Sequence, residues 1–214
     1  MLWPAAREDE TRRVITEVDE ALCMLLGRSL PEGTMVRLDP PKPTWETERA
    51  SNAIDLFLFG LHDDPSGRES GFADERDEDG KVAARREPNR RCSLSYLVTA
   101  RAPKVNEEHL LLGVALRTML FTDSLPAECM PDALAAAGAP VFIKIAGTDP
   151  GSLWTNLGMP ARASFAVTVS APFLPEADTE IAPPAEKLRL NSNQQLPKRG
   201  PLAPAQPKRW VRTP

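Results

Sequence analysis

The chain has 214 residues, a formal charge of -4, 42% hydrophobic, 26% charged and 6% aromatic residues, and 22 prolines. That length suffices for one domain with a core and is short for two. The longest apolar stretch, around Leu110 to Phe121, is interrupted by Arg117 and falls short of the ~18 to 20 apolar residues that span a bilayer, which excludes a membrane helix there. The opening MLWPAAREDETRR has no apolar segment ahead of its charges, so we expect no secretory signal and a cytoplasmic protein. Cys23, Cys92 and Cys129 are widely separated without a CxxC pair, which predicts reduced, packed thiols and neither a disulfide framework nor a zinc site.

The net charge conceals a division. Residues 182 to 214 carry Lys187, Arg189, Lys198, Arg199, Lys208, Arg209 and Arg212 against Glu186 alone, about +6, which leaves about -10 on the rest. Seven of the prolines fall in the same segment. We therefore divide the chain into a domain over 1–181 and a Pro-rich basic C-terminal arm over 182–214. An arm of that composition cannot bury enough apolar surface to offset its ordering entropy.

In chain order, Val14, Val18, Ala21, Leu22, Leu25 and Leu26 recur at helical spacing and predict an amphipathic helix from Thr11 to Leu26, closed by Gly27. TMVRL, 34–38, reads as a short strand. AIDLFLFGL, 53–61, places Ile54, Leu56 and Leu58 on one side and Phe57, Phe59 and Leu61 on the other, with Asp55 its only charge, as in a central strand. His62 to Arg91 has no periodicity; its acidic half, Asp63 to Asp79, and basic half, Lys81 to Arg91, predict a long charged loop inserted in the domain, whose halves fold back on each other or contact a partner.

CSLSYLVTA, 92–100, alternates, with Cys92, Leu94, Tyr96, Val98 and Ala100 on one face, and predicts a strand with one buried face. Asn106 is the expected cap of a second helix whose apolar surface, Leu110 to Leu120, is wide enough to need a sheet, another helix or a second subunit against it. A connection with a short helix at Ala133 to Ala137 leads to the strand VFIKIA, 141–146, and then to ASFAVTVSA, 163–171, with Phe165, Val167 and Val169 inward. Pro172, Pro175, Pro183 and Pro184 are expected to end regular structure. The predicted fold is α+β: a mixed or antiparallel sheet of about four to five strands with two main helices packed on it, plus an extended C-terminal arm.

Reactive groups are sparse. His62 and His109, the two histidines, do not stand at metal-ligand spacing, and HExxH, GxSxG and P-loop patterns are absent. We expect no catalytic residue, no cofactor and no metal. GTDPGSLWTNLGMP, 147–160, sets Leu153, Trp154 and Leu157 at helical spacing between Gly and Pro breakers. This one-turn helix serves as a lid on the core or as an anchor for a neighbouring subunit.

Taken together, ITEVDEALCMLLGRSLP in the opening helix, NAIDLFLFGL, RCSLSYLVTAR, EEHLLLGVALRTM and the LWTNLG turn before ASFAVTVSAPF resemble the cap protein family of phage-tail-like contractile injection systems, over about residues 10 to 175. The resemblance implies a phage tail terminator-like fold and a structural, non-enzymatic protein. It also implies a homohexameric ring that closes the inner tube and holds the last sheath layer at the end distal to the baseplate. The implied partners are further copies of itself, the sheath protein and the inner tube protein, with no membrane; the protein would be cytoplasmic, assembled into the particle and released on lysis. In better-known members a C-terminal extension reaches the sheath, which implies that role for 182–214. Candidate subunit or sheath contacts are therefore Leu153, Trp154 and Leu157, together with Lys198, Arg199, Lys208, Arg209, Trp210 and Arg212 in the arm. The alternative is a nucleic-acid-associated adaptor that uses the basic arm, where Trp210 stands among Lys208, Arg209 and Arg212; the acidic body opposes it.

Overall fold

The computed structural model describes residues 13–46, 51–67, 71, 73–76, 80, 82–147, 149–175 and 179–180. In chain order the elements are α1 Val14–Gly27, β1 Met35–Arg37, β2 Ala53–Asp63, β3 Ala73–Arg76, β4 Val82–Arg86, β5 Arg90–Arg101, α2 Val105–Leu120, α3 Asp132–Ala136, β6 Phe142–Ile145, α4 Gly151–Asn156, β7 Ser164–Phe173 and β8 Thr179–Glu180. The main sheet has the order β1-β2-β5-β7-β6, with β1 parallel to β2 and every other pair antiparallel. The α+β architecture and the five strands are as the sequence predicts.

The residues buried on α1 are the six that its spacing selects, Val14, Val18, Ala21, Leu22, Leu25 and Leu26. They pack with Leu111, Ala115 and Met119 of α2 against one sheet face, formed by Ile54 and Leu56 of β2, Leu94, Tyr96 and Val98 of β5, and Val167 and Val169 of β7. Each buried Leu, Ile or Val contributes about 1.5 to 3 kcal/mol, so this layer holds the helices on the sheet. Two polar ties cross it. Tyr96 Oη donates to Asp19 of α1 at 2.7 Å, and the Leu134 backbone N–H, near the start of α3, donates to Glu17 of α1 at 2.8 Å.

Several expectations need correction. The segment 62–91 is not a long loop: β2 extends through Asp63, β5 begins at Arg90, and between them β3 and β4 form an antiparallel hairpin to which β8 adds a third strand. Its acidic half does pair with its basic half, since Asp74 lies opposite Arg85 and their side chains meet at 3.1 Å. Pairing between charged side chains leaves no apolar alternation to read. The second helix starts at Val105 with Lys104 as its cap residue, in an extended conformation and without a side-chain cap, so Asn106 lies inside the first turn. Glu107 and Glu108 still lie there, Glu107 meeting Lys104 at 3.6 Å and Glu108 meeting Arg162 at 2.6 Å.

In β2, Leu58 faces Tyr96 and Gly60 faces Ser95, so Phe59 is an extra residue in a bulge. The bulge reverses the alternation and aligns Leu61 with Leu94, on the opposite face from Phe57. Gly60 fits there because an added Cβ would stand only 3.3 Å from His62 Nε2 and 3.4 Å from Ser95 Cβ. Nor is β2 flanked along its length, because β1 pairs only with Ala53 to Asp55. Pro172 does not end β7, which continues to Phe173; β6 reaches only Ser170, so the missing N–H of Pro172 falls where that edge has no neighbour. Finally, β5 is buried on both faces over Tyr96 to Arg101, not on one.

Candidate assembly surfaces

The sheet face away from α1 and α2 divides into a closed half and an open half. The closed half is built on Leu97, over which Trp45, from the 3-10 turn Pro43–Glu46, and Trp154, from α4, form a second apolar cluster. Trp154 is 1% exposed, and its Nε1 donates to Ser164 Oγ at 3.0 Å, so the one-turn helix is a lid on this chain's own sheet. Beside the cluster lies a buried ion pair: Arg101 Nε and Nη2 bind the two carboxylate oxygens of Asp55 at 2.7 and 2.8 Å, and the Arg101 guanidinium lies 4.5 Å from the centre of the Trp45 ring. Sequence reading registers Asp55 only as a lone charge and misses Arg101, Trp45 and Leu97. A lone acid in an apolar strand and a basic residue ending the next strand are the available signal.

Of the candidate contact residues, Trp154 is buried, Leu153, also on α4, is partly buried against the same cluster, and Leu157 is 37% exposed. Lys198, Arg199, Lys208, Arg209, Trp210 and Arg212 lie outside the described residues, as does the whole arm.

The helix layer leaves apolar surface uncovered. On the outer side of α2, Leu110 is 64% and Leu120 54% exposed, and Phe121, just after the helix, is 85% exposed. Helical spacing aligns Leu110, Gly113, Arg117 and Leu120 along one line. Near its end Leu25, Ser29, Val114, Thr118 and Phe121 line an open cleft between α1 and α2. Gly113 and Arg117 separate Leu110 from Leu120 on that line, and Leu120 and Phe121 are adjacent exposed apolar residues at its end.

The open half of the other face is polar. Ser93 of β5, Ser170 of β7 and Phe142 of β6 lie side by side across the strands, with Thr168 and Lys144 in the next register. Ser170 is the hub: it accepts from Arg91 Nε at 2.9 Å and donates to Asp64 at 2.6 Å. Hydrogen bonds from Ser170 and Ser66 hold the Asp64 carboxyl below its ordinary range. On the helix side burial has the reverse effect, raising Asp19 and pushing the Cys23 thiol up to about 11. Among the described residues no three His, Cys, Asp or Glu side chains stand together as a metal-binding group, and no helix is long and apolar enough to cross a membrane.

Residues 17–187 match the family model of the Pvc16 N-terminal domain. The chain belongs to that family. Two solved structures share the fold seen here. One is the sheath/tube terminator, in its extended state, of PVC, an extracellular contractile injection system, with a TM-score of 0.60 and 16% identity over 84% of this chain. The other is the tube-terminating cap of the anti-feeding prophage, with a TM-score of 0.56 and 18% identity over 81% of this chain. This Pvc16 N-terminal domain protein spans 64% of the first chain and 59% of the second, less than two thirds of either. A search of curated proteins finds no match.

Proposed function

We propose that this chain is a structural cap protein that terminates the inner tube and contractile sheath of a phage-tail-like contractile injection system at the end distal to the baseplate. The observation that carries the reading is membership of the Pvc16 N-terminal domain family over 17–187. The shared fold with two proteins described as tube terminators supports it. Physical features agree. The outer side of α2 exposes more apolar surface than one copy covers, as expected of a subunit that assembles.

In this reading the domain forms a hexameric ring without catalysis or cofactor, and its partners are the sheath and tube proteins. The arm 182–214 crosses to the sheath. Its roughly 33 residues reach up to ~100 Å when extended at ~3.1 Å per residue, and its cations suit acidic partner surface. The arm loses entropy as it docks, and in exchange spans a subunit boundary.

A mass measurement on the purified protein, alone and mixed with the sheath protein, tests the reading. A closed oligomer that takes up sheath protein is expected. A monomer that binds neither itself nor sheath would overturn it. A basic arm that instead engages nucleic acid would show DNA binding that weakens steeply with salt.

A further inference from the structure

On the open half of the sheet, two cations, Arg91 and Lys144, share one recess with a single acid, Asp64. Arg91 is 8% exposed; its Nε is bound to Ser170 Oγ, and its Nη2 donates to the carbonyls of Ser170 at 2.7 Å and Pro140 at 2.9 Å. Its guanidinium also lies 5.0 Å from the centre of the Phe142 ring. Three of its five N–H groups are thus fixed, and the two on Nη1 have no partner among the described residues. Lys144 likewise has no hydrogen bond or ion pair there, although both cations line one recess of about 360 Å³. The hydroxyls of Ser93 and Thr168 border the same space. Asp64 lines the recess as well and offsets one of its two positive charges: it accepts from Ser170 Oγ, from the Ser66 N–H at 3.1 Å and from the Ser66 hydroxyl, and acts electrostatically on Arg91, which leaves two cations against one acid.

The excess of cations and the two N–H groups left on Nη1 suit a carboxylate. An arginine held by three hydrogen bonds and an aromatic ring has already lost its side-chain freedom, so a carboxylate arriving at Nη1 does not have to order it. The same chain carries a matching group. Asp77, Glu78 and Asp79 stand in sequence between β3, which ends at Arg76, and β4, which begins at Val82. The other acidic triplet, Glu8 to Glu10, stands among Arg7, Arg12 and Arg13 and is locally neutral. From Asp74 to Asp79, by contrast, five acids face Arg76 alone.

We propose that the Arg91–Lys144 recess of one copy receives the Asp77–Asp79 connection of a second copy. The inference rests on the reading of the chain as a ring-forming cap. It adds a heterologous contact, one that joins two different patches and so repeats head to tail until the ring closes.

Charge reversal tests it, and Arg91 is left intact because it also holds Ser170 and Pro140. Lys144→Glu is one variant; Asp77→Lys, Glu78→Lys and Asp79→Lys together make the other. The full chain is measured by sedimentation, with thermal melting to show that each variant is folded. Each variant alone should associate at least about tenfold more weakly than the unaltered chain, because like charges then face each other. An equimolar mixture of the two variants should assemble again, since an alternating ring restores opposite charge at every contact. Either variant assembling like the unaltered chain overturns the contact and leaves the ring reading in place. Rescue only when both changes sit on one chain overturns it too, because the contact would then be internal. An unaltered chain that stays monomeric removes the contact and the ring together.

Discussion

The two faces of the main sheet are held by different physics. The helix face is a continuous aliphatic layer, crossed by Tyr96–Asp19 and stabilised by area removed from water. The other face has two tryptophans and the Asp55–Arg101 pair over half its length, and hydroxyls, Arg91 and Lys144 over the rest. One face serves the fold. The other is closed over half its length, and its open half carries the polar recess of Arg91 and Lys144.

The largest effects are expected from substitutions in the closed half of the second face. Trp154→Ala should destabilise the domain by about 3 to 5 kcal/mol, from lost burial and the cavity left behind, read as a lower urea midpoint. An unchanged midpoint with lost assembly would make Trp154 a contact residue and not a lid. Asp55→Ala leaves the Arg101 guanidinium buried without its carboxylate and should cost about 3 to 5 kcal/mol. A loss in the range of an exposed pair, below about 1 kcal/mol, would show that water reaches the site.

Smaller effects separate the faces by pH. Burial raises Asp19, so its contribution to stability is fully present below the ordinary 3.8 and is lost as pH rises through its folded value. Hydrogen bonds lower Asp64, so its contribution is present above 3.8 and is lost as pH falls through its folded value. Melting temperatures measured between about pH 1 and pH 7 should therefore change in opposite senses in Asp19→Asn and Asp64→Asn. Asp64→Asn should flatten the acid limb, and Asp19→Asn should steepen it. The same sign in both would remove the distinction. Smallest on stability is deletion after Pro184: the melting temperature should stay as it is, while co-sedimentation with sheath falls.

The helix face was legible because its packing is written in periodicity. All six buried residues of α1 and the inward Phe165, Val167 and Val169 of β7 follow from spacing alone. The second face was not, because its determinants are single residues brought together by register. Asp55 meets Arg101 only once β2 and β5 are paired, and Trp45 and Trp154 reach Leu97 from separate parts of the chain. The bulge at Phe59 and the hairpin of β3 and β4 were hidden for a related reason. One breaks alternation within an apolar run, and the other pairs charged side chains that have no alternation. Of the candidate contact residues, the leucine–tryptophan turn was located correctly as a one-turn helix, while its Trp154 proves to be covered by its own chain.

Under the proposed function, this chain closes the distal end of a contractile tube and sheath. Electron microscopy of particles from a producer lacking it tests that role. Tubes and sheaths of irregular length are expected, with the distal cap missing and the last sheath layers detached. Particles of normal, uniform length with an unchanged distal end would contradict it.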